Sequence, residues 1–246
     1  MGSRVEFLTK SLRLPNFKFG SMPVKTETYH EIKSELESRH INLVAVSKTK
    51  PIEDIQELYD LGHRDFGENY VQELADKASK LPNDIRWHFI GHLQSNKVKY
   101  IAPFVHLIHG MDSLKLLAEI NKQAAKNNRV IDCLLQVHIA QEETKFGLNE
   151  QELEAMLNEF ANSGMNKVQI KGLMGMASFT DDMNKVRNEF RYLKTIFDKY
   201  SQSQISNSKF QILSIGMSSD YKIAVEEGST LVRIGSLVFG ERNYSN

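Results

Sequence analysis

The strongest constraint in this sequence is an alternation. Eight short segments of strand character are separated by stretches whose apolar residues recur at helical spacing. Strands are read at residues 41–47, 64–66, 84–90, 104–108, 130–139, 168–172, 210–215 and 230–234. Helices are read at 51–61, 70–81, 95–101, 113–126, 150–162 and 184–200, then in a stretch ending at Glu227 and a last short one ending at Phe239. In the first of these, Ile52, Ile55 and Leu58 share one face and Gly62 follows the end. Strand–helix alternation predicts a parallel sheet. Eight such units in 246 residues predict a single (β/α)8 TIM barrel. The competing architecture is a doubly wound open sheet. That fold usually carries a Gly-rich dinucleotide turn after its first strand, and none is present here. An extra helix is expected over 25–38, ahead of the first strand.

Residues 1–21 look unlike the rest. Arg4, Lys10, Arg13 and Lys18 stand against a single acid, Glu6, with neither periodicity nor the apolar core of a secretory signal. They are read as a disordered or non-native extension, which leaves 22–246 as one domain. Charge excludes some functions. Lys+Arg and Asp+Glu both number 31, so no global field draws nucleic acid or an anionic membrane. No apolar run approaches the ~20 residues that span a bilayer. The single cysteine, Cys133, excludes an internal disulfide and multi-cysteine zinc sites. It lies in an apolar run and is read as an inert core thiol, which fits a reducing, cytoplasmic setting. A closed barrel without an obvious apolar surface segment is expected to be a monomer.

In a barrel of this kind the chemistry sits at the carboxyl ends of the strands. Lys48 directly follows Leu43-Val44-Ala45-Val46-Ser47 and precedes Pro51, read as the first residue of a helix. The other strand-end groups are Asn69, His92, His109, His138, Met174 with Met176, Met217-Ser218, and Arg233 with Gly235-Ser236. Gly216 and Gly235 permit close backbone approach, and the Ser218 and Ser236 hydroxyls can donate to phosphate oxygens. A lysine and a phosphate cradle on one rim suggest a Schiff-base aldolase acting on a phosphosugar, or a pyridoxal phosphate protein. Arg233 stands within an apolar strand, and a buried arginine needs a partner. A pyridine nitrogen would be one.

Six ordered blocks then carry a resemblance. They are Ala45-Val46-Ser47-Lys48-Thr49-Lys50-Pro51, Phe66-Gly67-Glu68-Asn69-Tyr70-Val71-Gln72-Glu73, Trp87-His88-Phe89-Ile90-Gly91-His92-Leu93-Gln94-Ser95-Asn96-Lys97, Gly172-Leu173-Met174, Ser214-Ile215-Gly216-Met217-Ser218 and Val232-Arg233-Ile234-Gly235. Over residues 40–244 the chain resembles the YggS/PROSC family of pyridoxal phosphate homeostasis proteins. That family is similar to the barrel of alanine racemase without its second domain, and binds the cofactor in the fold-type III manner. The resemblance implies pyridoxal 5'-phosphate as cofactor, held as a Schiff base on Lys48. It places Arg233 at the pyridine nitrogen, Met217, Ser218, Gly235 and Ser236 around the phosphate, and Asn69 near the ring. It implies a role in vitamin B6 homeostasis, with cofactor supplied to or buffered for apo-enzymes, and no established catalytic residue.

Plainer readings stand beside these. Lys50 is the competing amine, although it begins the exit towards the helix. Arg233 could serve a structural ion pair, and Ser218 and Ser236 could be helix N-caps. His88, His92, His109 and His138 lack zinc spacing and are read as polar rim or core residues, with no metal expected. The functional alternatives are a weak pyridoxal phosphate-dependent racemase or lyase and a cofactor-free aldolase. Arg233 argues against strong catalysis, because a guanidinium can donate to a ring nitrogen but cannot accept a proton from it. A racemase also needs an acid and a base on opposite faces, and in the resembling enzymes one of these comes from the domain missing here.

Overall fold

Eight parallel strands close on themselves in the order β1 to β8, with β1 pairing with β8. The computed structural model describes residues 24–140, 147–202 and 210–241. The expected extension over 1–21 and most of the polar loop expected at 201–208 lie outside these. The strands are β1 (Asn42–Val46), β2 (Asp65–Glu68), β3 (Arg86–Phe89), β4 (Leu107–Met111), β5 (Ile131–Gln136), β6 (Val168–Met174), β7 (Ile212–Ser214) and β8 (Leu231–Ile234). The helices are α1 (Thr26–Glu37), α2 (Ile52–Asp60), α3 (Val71–Ala78), α4 (Val98–Ile101), α5 (Leu114–Lys126), α6 (Glu150–Asn162), α7 (Met183–Ser201), α8 (Tyr221–Glu226) and α9 (Ser236–Phe239). The TIM barrel with an extra N-terminal helix is therefore the fold. Helix α1 is tied to the far end of the chain, where the Lys25 N–H donates to the Val238 carbonyl at 2.8 Å.

Alternation along the strands sorts the side chains. Ala45, Phe66, Trp87, Phe89, Ile108, Leu213, Val232 and Ile234 face outward into the layer between barrel and helices. Val44, Leu107, Leu134, Met174 and Leu231 pack together inside the barrel. The interior is narrow. A Cβ on Gly67 would lie 2.9 Å from Val44 Cγ1, so the absent side chain makes room for this layer. The helix ends follow local chemistry. Asn149 caps α6 in a full capping box with Glu152, and Asp182 accepts from Asn184 and Lys185 at the start of α7.

Three expectations shift. Pro51 is the N-cap of α2 rather than its first residue, extended at ψ 161°, because Lys50 still turns back to the Ser47 carbonyl. Asp112 or Ser113 is expected to cap α5; Ser113 holds the N-cap position, but its side chain makes no capping bond. Strand β4 begins and ends three residues later than read, running through His109 to Met111, with a register shift between Ile108 and Met111. Since Leu107 points inward, period two turns His109 into the barrel, not onto its rim.

Candidate functional site

The turn after β1 is held from behind. The Ser47 N–H continues the ladder to the Gly67 carbonyl at 3.0 Å, and its hydroxyl donates to Glu68 Oε1 at 2.6 Å. Lys77, from α3, donates through Nζ to the Ser47 carbonyl at 2.8 Å, to Glu68 Oε1 at 2.8 Å and to Glu73 Oε1 at 2.7 Å. Glu73 also accepts from the Thr49 N–H at 2.6 Å, on a residue forced to φ 64°. Lys48 thus sits between two pinned residues. Glu68 is fully buried. Burial raises its carboxyl, against the opposing pull of Lys77 and the hydrogen bond from Ser47. No local pattern in the sequence marks this charged cluster as a unit. Its one sequence signal is the helical i,i+4 spacing of Glu73 and Lys77.

In front of this turn opens a cavity of about 540 Å³ at the carboxyl ends of the strands. That volume is in the usual range for a small-molecule site. Lys48, Asn69, Met217, Ser218, Arg233, Gly235 and Ser236 all line it, each one predicted from the sequence. Val46, Lys50, Ile90, Met176 and the highly exposed Phe179 complete much of the wall. His92, His109, His138 and Met174 do not line it. His92 is exposed and faces Asp112 at 3.9 Å, and Met174 belongs to the barrel interior. Lys50, although on the wall, donates through Nζ to the Phe239 carbonyl at 2.7 Å and the Glu241 carbonyl at 3.1 Å.

The two last loops are joined. The Gly235 N–H donates to Ser218 Oγ at 3.2 Å, and Asp220 Oδ1 accepts from the Met217 N–H at 2.6 Å. A Cβ on Gly216, at φ 97°, would lie 2.6 Å from the Ala224 Cβ, so this sharp turn requires glycine. Asp220, not Ser218, stands at the N-cap of α8, and Ser236 is the first residue of α9. Among the described residues, Asn69 Oδ1 is buried with no hydrogen-bond partner. A polar atom in that state marks a place where a ligand donor would be welcome.

Arg233 is 4% exposed. Its Nη1 donates to the Ser214 carbonyl at 2.8 Å and to Ser214 Oγ at 2.6 Å, and its Nη2 donates to the Gly175 carbonyl at 3.1 Å. A guanidinium has five N–H donors, so two remain beyond these acceptors. Burial lowers its pKa to about 10, partly offset by Asp220. The structural ion pair considered for Arg233 is replaced by carbonyls and a hydroxyl. At the opposite end of the barrel, Asp65, His88 and His106 place one ligand-type atom each within 4.8 Å of one another. The Arg86 guanidinium donates to both Asp65 oxygens there, so these oxygens already have a cation.

Known proteins resemble this chain over most of its length. The model for the alanine racemase N-terminal domain matches residues 26–243. A pyridoxal phosphate homeostasis protein of Aquifex aeolicus is 42% identical over 203 residues, covering 82% of this chain and 87% of that protein. The chain belongs to the pyridoxal phosphate homeostasis protein family. Among solved structures, PipY of Synechococcus elongatus with PLP bound is 34% identical with a TM-score of 0.79, covering 87% of this chain and 99% of that one. An alanine racemase of Clostridium difficile is 11% identical with a TM-score of 0.67, covering 91% of this chain and 60% of that one, and shares the fold. Among the described residues, no helix of this family member is long and apolar enough to cross a membrane.

Proposed function

We propose that this chain holds pyridoxal 5'-phosphate at Lys48 and serves vitamin B6 homeostasis, supplying or buffering the cofactor for apo-enzymes in a cytoplasmic setting. The observation that carries the reading is the single cavity in which Lys48, Asn69, Ser218, Arg233, Gly235 and Ser236 converge. Membership in a family named for this cofactor, and a 34% identical structure with PLP bound, support it. The residues fit the group. Arg233 keeps two donors for a ring nitrogen, the orphaned Asn69 oxygen awaits a donor, and the hydroxyls of Ser218 and Ser236 stand beside a glycine on the same wall. When bound, the cofactor supplies an aldehyde that a primary amine captures reversibly.

The chain's own residues then divide the work. Lys48 offers the amine, and the Ser47–Thr49 backbone pinned by Lys77, Glu68 and Glu73 fixes where that amine can reach. Lys50 is less suited, because its Nζ already donates to two carbonyls near the end of the chain. Ser218, Gly235 and Ser236 orient an anion. Arg233 donates without accepting a proton, so the site tethers more readily than it drives proton transfer. The buried, lone Cys133 fits the reducing compartment, since burial pushes its thiol far above the usual range and out of reach of exchange. Titrating the cofactor-free chain with pyridoxal phosphate tests the reading. A visible absorption band should form in the wild type and in Lys50→Ala but not in Lys48→Ala, and the bound cofactor should restore activity to an apo-enzyme. A band that survives in Lys48→Ala would refute it.

A further inference from the structure

The hydrogen bonds of Arg233 do not end at Ser214. Ser214 Oγ lies 3.1 Å from His109 Nδ1, His109 Nε2 lies 3.0 Å from His88 Nδ1, and His88 Nε2 lies 3.0 Å from Asp65 Oδ1. Ser214 and His109 are fully buried, and His88 is 3% exposed. Each link comes from a different strand, β7, β4, β3 and β2 in turn. Asp65 is the first residue of β2 and is paired with Arg86, the first of β3, so the chain ends at the amino-end face of the barrel. Position along the strands makes this a path from the floor of the cavity to the opposite side of the molecule.

The two ends fix its direction. Arg233 can only donate. Ser214 Oγ therefore accepts from Arg233 and has its own proton to give, and His109 Nδ1 takes it. His109 must then carry its proton on Nε2 and donate to His88 Nδ1, and His88 must carry its proton on Nε2 and donate to Asp65. The far end agrees. Burial favours a neutral Asp65, but hydrogen bonds from Arg86 and His88 overcome it and hold the carboxyl well below the usual range, so Asp65 can only accept. Burial is the largest cause that keeps His109 neutral. An extra proton on His88 would make its Nδ1 a donor and reverse His109. Ser214 would then face two donors, with its own proton left over.

We propose that Ser214, His109, His88 and Asp65 are positioning residues: a one-way hydrogen-bond relay that fixes the Arg233 guanidinium and couples the cavity to the amino-end face of the barrel. Beside the nearby charge of Asp220, the relay gives the buried guanidinium a second anion at a distance, through bonds that polarise one another. It deepens the cofactor reading, because the donors it holds in place are those facing the cavity.

Two measurements on the full-length chain test this. The first is nitrogen-15 NMR of the histidine side chains in the cofactor-free protein, which does not depend on cofactor capture. His88 and His109 should both be neutral with the proton on Nε2. In Asp65→Asn, whose amide both donates and accepts, a second set of signals with His109 protonated on Nδ1 should appear. The second is pyridoxal phosphate titration of Asp65→Asn and of Ser214→Ala. Both should bind more weakly by roughly threefold or more, with a displaced absorption band, although Asp65 lies outside the cavity wall. A wild-type His109 protonated on Nδ1, or wild-type affinity and band in folded Ser214→Ala, would overturn the relay. No cofactor binding by any form, with the tautomers as stated, would instead overturn the proposed function and leave the relay standing as a structural device.

Discussion

Replacing Lys77 with methionine would remove the cation that Ser47, Glu68 and Glu73 share at 2.7 to 2.8 Å. Methionine keeps the packing of the lysine stem, so the loss is mainly electrostatic. Glu68 would stay fully buried, and among the described residues the Ser47 hydroxyl would be its one remaining donor and its Oε2 already has no partner. Breaking a buried pair from one side costs about 3–5 kcal/mol. The penalty must depend on pH. Burial already raises the Glu68 carboxyl, and Lys77 is the largest force opposing the rise. Without Lys77 the folded value climbs further. An acid whose folded value is raised takes up a proton on folding, so its effect on stability is most favourable below the unfolded value and is lost as pH rises. Once the unfolded Glu68 is ionised and the folded one is not, the variant loses up to about 1.4 kcal/mol per pH unit relative to a pH-independent protein. Urea denaturation of wild type and Lys77→Met at pH 5 and pH 8 reads this directly. The penalty should be clearly larger at pH 8. Adding Glu68→Gln should recover much of it, since removing both partners abolishes the stranded charge. An equal penalty at both pH values, or one below about 1 kcal/mol, would refute the reasoning.

Two other perturbations probe the scaffold. His63 is buried between Tyr29 and the Asp65 carbonyl, and burial lowers its pKa to about 4. The unfolded imidazole binds its proton first, so stability should fall by about 3 kcal/mol as pH drops from ~6.5 through 4, and His63→Gln should flatten that part of the profile in acid denaturation. Gly172 has φ 150°, and a Cβ there would stand 1.9 Å from the Ile212 carbonyl oxygen, on the backbone of the neighbouring strand. Gly172→Ala should cost about 3 kcal/mol or more in thermal or urea denaturation, and wild-type stability would show that β6 and β7 can part without loss.

Much of the site was legible because its residues lie within or a few positions after the apolar runs that form the strands. Lys48 comes two residues after β1 and Gly235 one residue after β8, so finding the strands located the rim. The histidines were harder. His109 read as the residue closing a strand, but one more step of the alternation that turns Leu107 inward carries it into the barrel. Its partners Ser214, His88 and Asp65 sit on other strands, and no local spacing announces a bond across 105 residues such as that between His109 and Ser214. The Lys77 cluster was hidden for the same reason. A lysine on a helix reads as solvated, and only the docking of α3 against β2 buries it at 5% exposure.

Lys48 is proposed as the amine that holds the cofactor. Borohydride reduction of the chain loaded with pyridoxal phosphate, followed by proteolysis and mass measurement of the peptides, tests it most directly. A single pyridoxyl modification on Lys48, retained in Lys50→Ala and absent in Lys48→Ala, is the predicted result. Modification of Lys50, or a scatter over surface lysines with Lys48 untouched, would contradict it.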